Sequence, residues 1–295
     1  MRTRSPDASD IPTIEAVMRL AVLLAAGVTP SAAWRHLARG RDPLLVNTAL
    51  AAQNGGDVAA VLRGGGGSWP DIAAVWSVAV AVGAPLADTL RSAVGALRDA
   101  AEVRADVSVA LAEPLATARL LSWLPLLGLP FGILVGLDPV SILSEPLGGC
   151  ALIAGLLLVG ASRLWTRRLA RGAQPGDGIP GWDAELLAVA LSSGASIERA
   201  RALVATEGCG VTVQPSPGVA DALDLSVRTG APAAELLRGE AWLARQRART
   251  RGRESAARLA TRLLVPLGVC TLPAFLLLAV VPAVLGVMRS TIVPL

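Results

Sequence analysis

The chain contains no lysine, no tyrosine and a single histidine, His36, among 295 residues. Without lysine there is no Walker A phosphate loop and no amine for a Schiff base. The three cysteines, Cys150, Cys209 and Cys270, are far apart, form no CxxC pair and have no histidine at metal-ligand spacing. We therefore expect no catalytic residues, no cofactor and no metal site, and we expect that the chain is not an enzyme.

Charge is also scarce. Charged residues make up 17% of the chain, whereas about 25% is usual in soluble domains. Hydrophobic residues make up 53%, and the mean hydropathy is +0.56. Because a soluble fold of this size would have to expose many of these apolar side chains to water, the composition predicts a membrane protein.

Three uncharged runs, at residues 120–137, 147–162 and 263–288, predict transmembrane helices at residues 119–138, 147–165 and 263–288. A helix over the third run would measure about 39 Å at 1.5 Å per residue, which exceeds a hydrocarbon core of about 30 Å. The second predicted helix ends in Arg163 and Trp165, residue types that reach from a span to the headgroup level.

Arginine placement predicts the orientation. Arg98, Arg104 and Arg119 precede the first run, several arginines follow the second, and the connector at 139–146 has none. By the positive-inside rule the connector is extracytoplasmic, and the chain is a multi-pass protein of the cytoplasmic (inner) membrane. The predicted parts are an N-terminal tail (1–13), cytosolic helical domains at 14–118 and 166–262, and an extracytoplasmic C-terminal tail (289–295).

A small membrane transporter or a membrane-bound enzyme of unknown substrate is the alternative class. Such proteins place ionisable residues inside their spans, and the predicted spans contain none in their interiors before Arg163. Asp138 and Glu145 flank the connector, and whether these two carboxylates bind a cation stays open.

An internal repeat is visible in four turns at which an apolar helix stops at glycine and restarts within three residues. Glycine accepts the left-handed conformation after a helix, proline suits the first helical position, and Thr29 or Ser196 can cap the next helix. The four turns fall in order as two pairs, each followed by an arginine-bearing helix and an apolar run. The turn residues are Gly27 and Pro30, Gly83 and Pro85, Gly194 and Ser196, and Gly230 and Pro232.

No cytosolic stretch alternates with a period of two, so the predicted fold class is all-α. The expected architecture is two repeated cytosolic helical bundles with three transmembrane helices.

Seven arginines between Arg245 and Arg262 precede the third run. Only Arg245, Arg249 and Arg253 align at i, i+4 on one helix face. The run of arginines is typical of ordinary positive-inside flanking, and these three residues are the alternative candidates for a contact with an acidic partner or anionic lipid. The scatter of the other arginines argues against nucleic-acid binding.

Five segments resemble the type II secretion system F family, the inner-membrane platform proteins of type II secretion systems, type IV pili and Tad (Flp) pili. They are LAVLLAAGVTPSAAWRHLA and LLAVALSSGASIERARALVA, VAVGAPLADTLR and SVRTGAPAAELLR, and the C-terminal RLLVPLGVCTLPAFLLLAVVPAVLGVM. The resemblance covers roughly residues 14 to 288, and the chain looks most like the Tad branch.

The resemblance implies a platform protein that couples a cytosolic secretion ATPase to pilin assembly. Its implied partners are a hexameric secretion ATPase, pilin-like subunits and a second platform protein, in a homo- or hetero-oligomer. No catalytic residue carries over from the family. The apparatus served, the oligomeric state, the face that meets the ATPase and the role of the N-terminal tail stay open.

Overall fold

The computed structural model describes residues 10–40, 42–134, 146–173, 178–208, 216–281 and 284, and over these residues it contains helices and no strand. The predicted all-α class is confirmed for this part of the chain. The helices are α1 (Asp10–Ala25), α2 (Pro30–Leu37), α3 (Pro43–Gln53), α4 (Val58–Arg63), α5 (Trp69–Val82), α6 (Leu86–Leu134), α7 (Pro146–Ala173), α8 (Trp182–Leu191), α9 (Ile197–Glu207), α10 (Pro217–Thr229), α11 (Ala233–Pro266) and α12 (Leu272–Phe275).

The chain divides into two compact units. The first comprises Met1–Val103 and Gly176–Arg249, and the second comprises Arg104–Pro175 and Thr250–Leu295. Parts of both predicted cytosolic domains, 14–118 and 166–262, thus belong to the first unit. The connector at 139–146, except Pro146, and the C-terminal tail at 289–295 lie outside the described residues, as do residues 1–9 of the N-terminal tail.

The first unit has one hydrophobic core, to which helices from before the first span and after the second contribute. Helix α5 is predominantly apolar and buries Ile72 and Val75, and α8 buries Leu186. The fully buried Trp34 of α2 meets Trp76 edge-on, with 5.6 Å between ring centroids. Such aromatic pairs add about 0.5–1.5 kcal/mol to the stabilisation from burial alone.

All four predicted turn glycines have positive φ: 84° at Gly27, 68° at Gly83, 82° at Gly194 and 74° at Gly230. At Gly83 the following N–H, of Ala84, donates to the carbonyl of Ala79 at 2.9 Å, and the glycine N–H donates to Val80. This paired arrangement satisfies carbonyls that the end of a helix leaves open.

The residues after these glycines differ in detail from the sequence expectation. Pro30 is the first residue of α2, but Pro85 and Pro232 each lie one residue before α6 and α11. Ser196 caps α9 by accepting the Arg199 N–H at 3.3 Å, whereas the Thr29 side chain makes no cap hydrogen bond. At the Gly27 turn the backbone carbonyl of Thr29 accepts the Ala33 N–H at 2.8 Å, which is the first hydrogen bond of α2. This turn therefore forms without a side-chain cap.

Three helices are long and apolar enough to cross a membrane: Leu86–Leu127, Gly149–Gly172 and Ala233–Val280. Only 22%, 17% and 28% of their most apolar stretches are buried within the protein. Helix α5 is equally apolar, yet most of its side chains are buried in the first unit. Because the apolar side chains of the three long helices stay on the outside, a membrane protein is the natural reading.

The third candidate span is an irregular helix. Two π-helical segments, Leu267–Thr271 and Leu276–Val280, flank α12, which contains Pro273. Proline removes one backbone hydrogen bond, and a wider helical turn accommodates that loss inside a span. This segment packs closely against Gly155 of α7, which has no Cβ. Any larger residue at this position would place its Cβ 2.6 Å from Leu278 Cγ, too close for van der Waals contact.

Candidate functional site

The three aligned arginines of α11 all lie opposite carboxylates of α6. In the first unit, Arg245 Nε is 2.8 Å from Asp99 Oδ2, and Arg249 forms an ion pair with Glu102. In the second unit, Arg253 Nη2 donates to Asp106 Oδ2 at 2.9 Å. The sequence analysis missed these acidic residues, although their spacing of three and four places them on one helix face.

Pairing with the carboxylates of α6 limits how far the three arginines are free to contact a partner or lipid. The Arg245 side chain is only 12% exposed, and its charge is compensated inside the chain. The Arg253 side chain is 64% exposed, so its guanidinium can still be reached from solvent. The contact role therefore stays a prediction, for which Arg253 is the most accessible of the three.

Glu185 is a buried charge at the centre of the first unit. Its side chain is 4% exposed, accepts a hydrogen bond from Ser92 of α6, and lies 3.5 Å from Arg245 Nη1. Helix α8 thereby joins α6 and α11 through one polar cluster, which we call the Glu185 cluster: Glu185, Ser92, Arg245 and Asp99. The sequence feature that could have indicated this cluster is the single glutamate among the apolar residues of α8. A carboxylate is almost never buried unless it is paired, so a partner was to be expected.

A second polar cluster in the first unit also joins a glutamate, an arginine and a serine. Glu207, the last residue of α9, lies 3.0 Å from Arg63 Nη2 of α4 and accepts a hydrogen bond from Ser77 of α5. In both clusters a glutamate from a helix that follows α7 meets a serine from a helix that precedes α7. Because both side chains of the Arg63–Glu207 pair are about one-third exposed, we expect the pair to contribute more to the register of the helices than to stability.

A groove of about 550 Å³ lies between α1 and α2 on the first unit. Its lining is apolar at Met18, Val22 and Leu23, and basic at Arg19 and Arg39. His36, which the sequence left without a role, is exposed at the same groove. An apolar floor with a basic rim suits an amphipathic acidic helix of another protein.

Among the described residues there is no group of three or more histidine, cysteine or acidic residues that could hold a metal ion. Comparisons of this chain with protein-family models, with curated proteins and with solved structures find no match. The resemblance to the type II secretion system F family therefore rests on the sequence segments quoted above, and what it implies for function is a proposal.

Proposed function

We propose that the protein is an inner-membrane platform protein of a type II secretion or Tad-like pilus machine, which couples a cytosolic secretion ATPase to the assembly of pilin-like subunits. The observation that carries this proposal is the pair of helices that leave the first unit. Helix α6 begins after the Gly83 turn and continues for 49 residues, about 74 Å at 1.5 Å per residue. The helical segment Ala233–Val280 begins after the Gly230 turn and includes 48 residues.

Each of these helices belongs to the first unit at its N-terminal end and to a candidate span at its C-terminal end. In both segments the chain is helical from the turn to the candidate span, although Pro266 and two π-helical segments interrupt the regular α-helix of the second. In this proposal the two helical connections are the route by which a cytosolic motor acting on the first unit moves subunits in the bilayer. That is the mechanical requirement of a platform that moves subunits out of a membrane.

The matched turns support the finer proposal of an internal repeat. The Gly27 and Gly194 turns each follow an apolar helix of the core, and the Gly83 and Gly230 turns each precede a long helix. In the proposed arrangement the chain crosses the membrane at the first span and returns at the second, so both glycine-turn regions lie on the same side. Arginine placement makes that side the cytosol, where a hexameric ATPase acts.

Reporter fusions test the proposed orientation. We expect fusions after Pro139 and after Leu295 to report outside, and a fusion after Pro215 to report inside, because arginines flank the cytosolic segments. The readout is paired alkaline phosphatase and fluorescent-protein activity in cells. A fusion after Pro215 that reports outside would rule out the three-span arrangement.

Partner capture tests the function. We expect mild detergent purification of the tagged chain from its native host, followed by mass spectrometry, to recover a secretion-type ATPase and pilin-like subunits or a second platform protein. If the ATPase binds the groove between α1 and α2, Val22→Glu places a negative charge at its exposed apolar floor and loses the ATPase while keeping the membrane partners. Val227→Glu, at an exposed position of α10, is the matched control and keeps both.

Two results would contradict the platform role. One is recovery of an unrelated membrane complex with no ATPase and no pilin-like subunit. The other is transport or turnover of a solute by the purified protein in liposomes without added partners, which would favour the transporter or membrane-enzyme class. If the Val22→Glu variant still binds the ATPase, the ATPase contact lies outside this groove, and the proposed platform role is unaffected.

A further inference from the structure

A second groove, of about 720 Å³, lies between α7 and α11 in the second unit. Its volume is within the range of small-molecule sites in proteins, about 300–1,000 Å³. It is lined by helix faces that combine apolar and basic side chains. Those that matter here are Leu164, Trp165 and Arg168 on α7, and Ser255, Arg258 and Arg262 on α11.

The charge of this groove is almost uncompensated. Arg168 and Arg262 are exposed, and neither forms an ion pair with a residue that the structure describes. Arg258 lies 3.7 Å from Glu254, in a pair whose two side chains are both largely exposed. The aligned arginines of α11, in contrast, face the carboxylates of α6. The groove therefore presents three guanidinium groups to an anion from outside the chain.

The groove lies at the ends of two candidate spans, where the membrane surface is expected. Arg168 lies near the end of the candidate span Gly149–Gly172, and Arg262 directly precedes the uncharged run that begins at Leu263. Trp165 and Leu164 are exposed beside the arginines. Tryptophan favours the headgroup region, and arginine extends its guanidinium toward it.

We propose that this groove binds the headgroup of one anionic phospholipid from the cytoplasmic leaflet. The planar forks of Arg168, Arg258 and Arg262 match phosphate oxygens in geometry and charge. The acyl chains of the same lipid lie along the exposed apolar surface near Leu164. The inference rests on the proposed orientation of the spans and is independent of the proposed platform role.

A binding measurement with matched variants tests the lipid site. Full-length protein in neutral detergent is titrated with phosphatidylglycerol or phosphatidylcholine, and bound lipid is counted by native mass spectrometry. We expect one saturable phosphatidylglycerol and no saturable phosphatidylcholine. Arg168→Gln with Arg262→Gln should weaken phosphatidylglycerol binding by about tenfold or more, since each arginine near an anionic lipid contributes about fivefold. The control, Arg167→Gln with Arg251→Gln, removes the same charge from exposed positions outside the groove and should change binding less than about twofold.

Three outcomes would overturn the proposal. Equal weakening by the groove and control variants would mean diffuse attraction by positive charge. Competition by millimolar inorganic phosphate would make a free phosphate the ligand. Unchanged lipid binding in the groove variant, with crosslinks from the groove to an acidic protein in native membranes, would assign the surface to a protein partner. Circular dichroism is the control that both variants are folded. The platform role is tested separately, by the reporter fusions and the partner capture described above.

Discussion

Replacing Arg245 by methionine is expected to lower the apparent Tm of the purified protein by about 6 °C or more. The substitution leaves Glu185, whose side chain is 4% exposed, without its positive partner in the core of the first unit. Removal of one member of a buried ion pair costs about 3–5 kcal/mol, because the remaining charge stays desolvated and uncompensated. In a unit of this size each kcal/mol corresponds to about 2–4 °C. Tryptophan fluorescence during heating is the measurement.

Two further variants separate this effect from a general loss of charge. Arg238→Met removes an arginine of the same helix whose pair with Glu235 is exposed, and should cost less than about 1 kcal/mol. Adding Glu185→Gln to Arg245→Met removes the orphaned charge but keeps an acceptor for Ser92, and should restore at least half of the lost Tm. Equal small shifts in the two methionine variants would mean that the Glu185 cluster contributes little to stability.

Gly181→Ala is expected to destabilise the first unit by several kcal/mol. Gly181 precedes α8 with φ of 75°, a conformation that costs a residue with a Cβ about 1–2 kcal/mol. A Cβ at this position would also lie 2.7 Å from the carbonyl oxygen of Ala241 and 2.8 Å from its Cα. Those atoms are backbone of the buried face of α11, so the helices must separate at a further cost of about 1–3 kcal/mol.

Gly194→Ala is the matched control, since it changes the glycine at the other end of α8. Its φ of 82° imposes a similar conformational cost, but no atom lies within 4 Å of the added Cβ. We expect a loss of about 1–2 kcal/mol at Gly194 and a loss roughly twice as large at Gly181, read as the difference in Tm between the two variants. Equal losses would show that α8 and α11 adjust to the extra methyl group.

The four turn glycines could be predicted because a left-handed residue at a helix end depends on the residues next to it. Gly181 has the same backbone conformation but was not singled out, because its need for glycine comes from Ala241, a residue distant in the chain. The Glu185 cluster was missed for the same reason. A glutamate in an apolar helix raises the question of a partner, but the partner itself, Arg245, comes from another helix.

Local properties of the chain are enough to indicate the three long apolar helices, their all-α setting and the glycine turns, because hydropathy and backbone preference act over a few neighbouring residues. The tertiary structure decided which charges are neutralised. It buries Arg245 beside Glu185, sets Arg253 against Asp106, and leaves Arg168 and Arg262 in an open groove, although all four look alike as arginines near a span. The physical reason is that the energy of a charge depends on the dielectric and the counter-charges around it, which distant segments of the chain bring together.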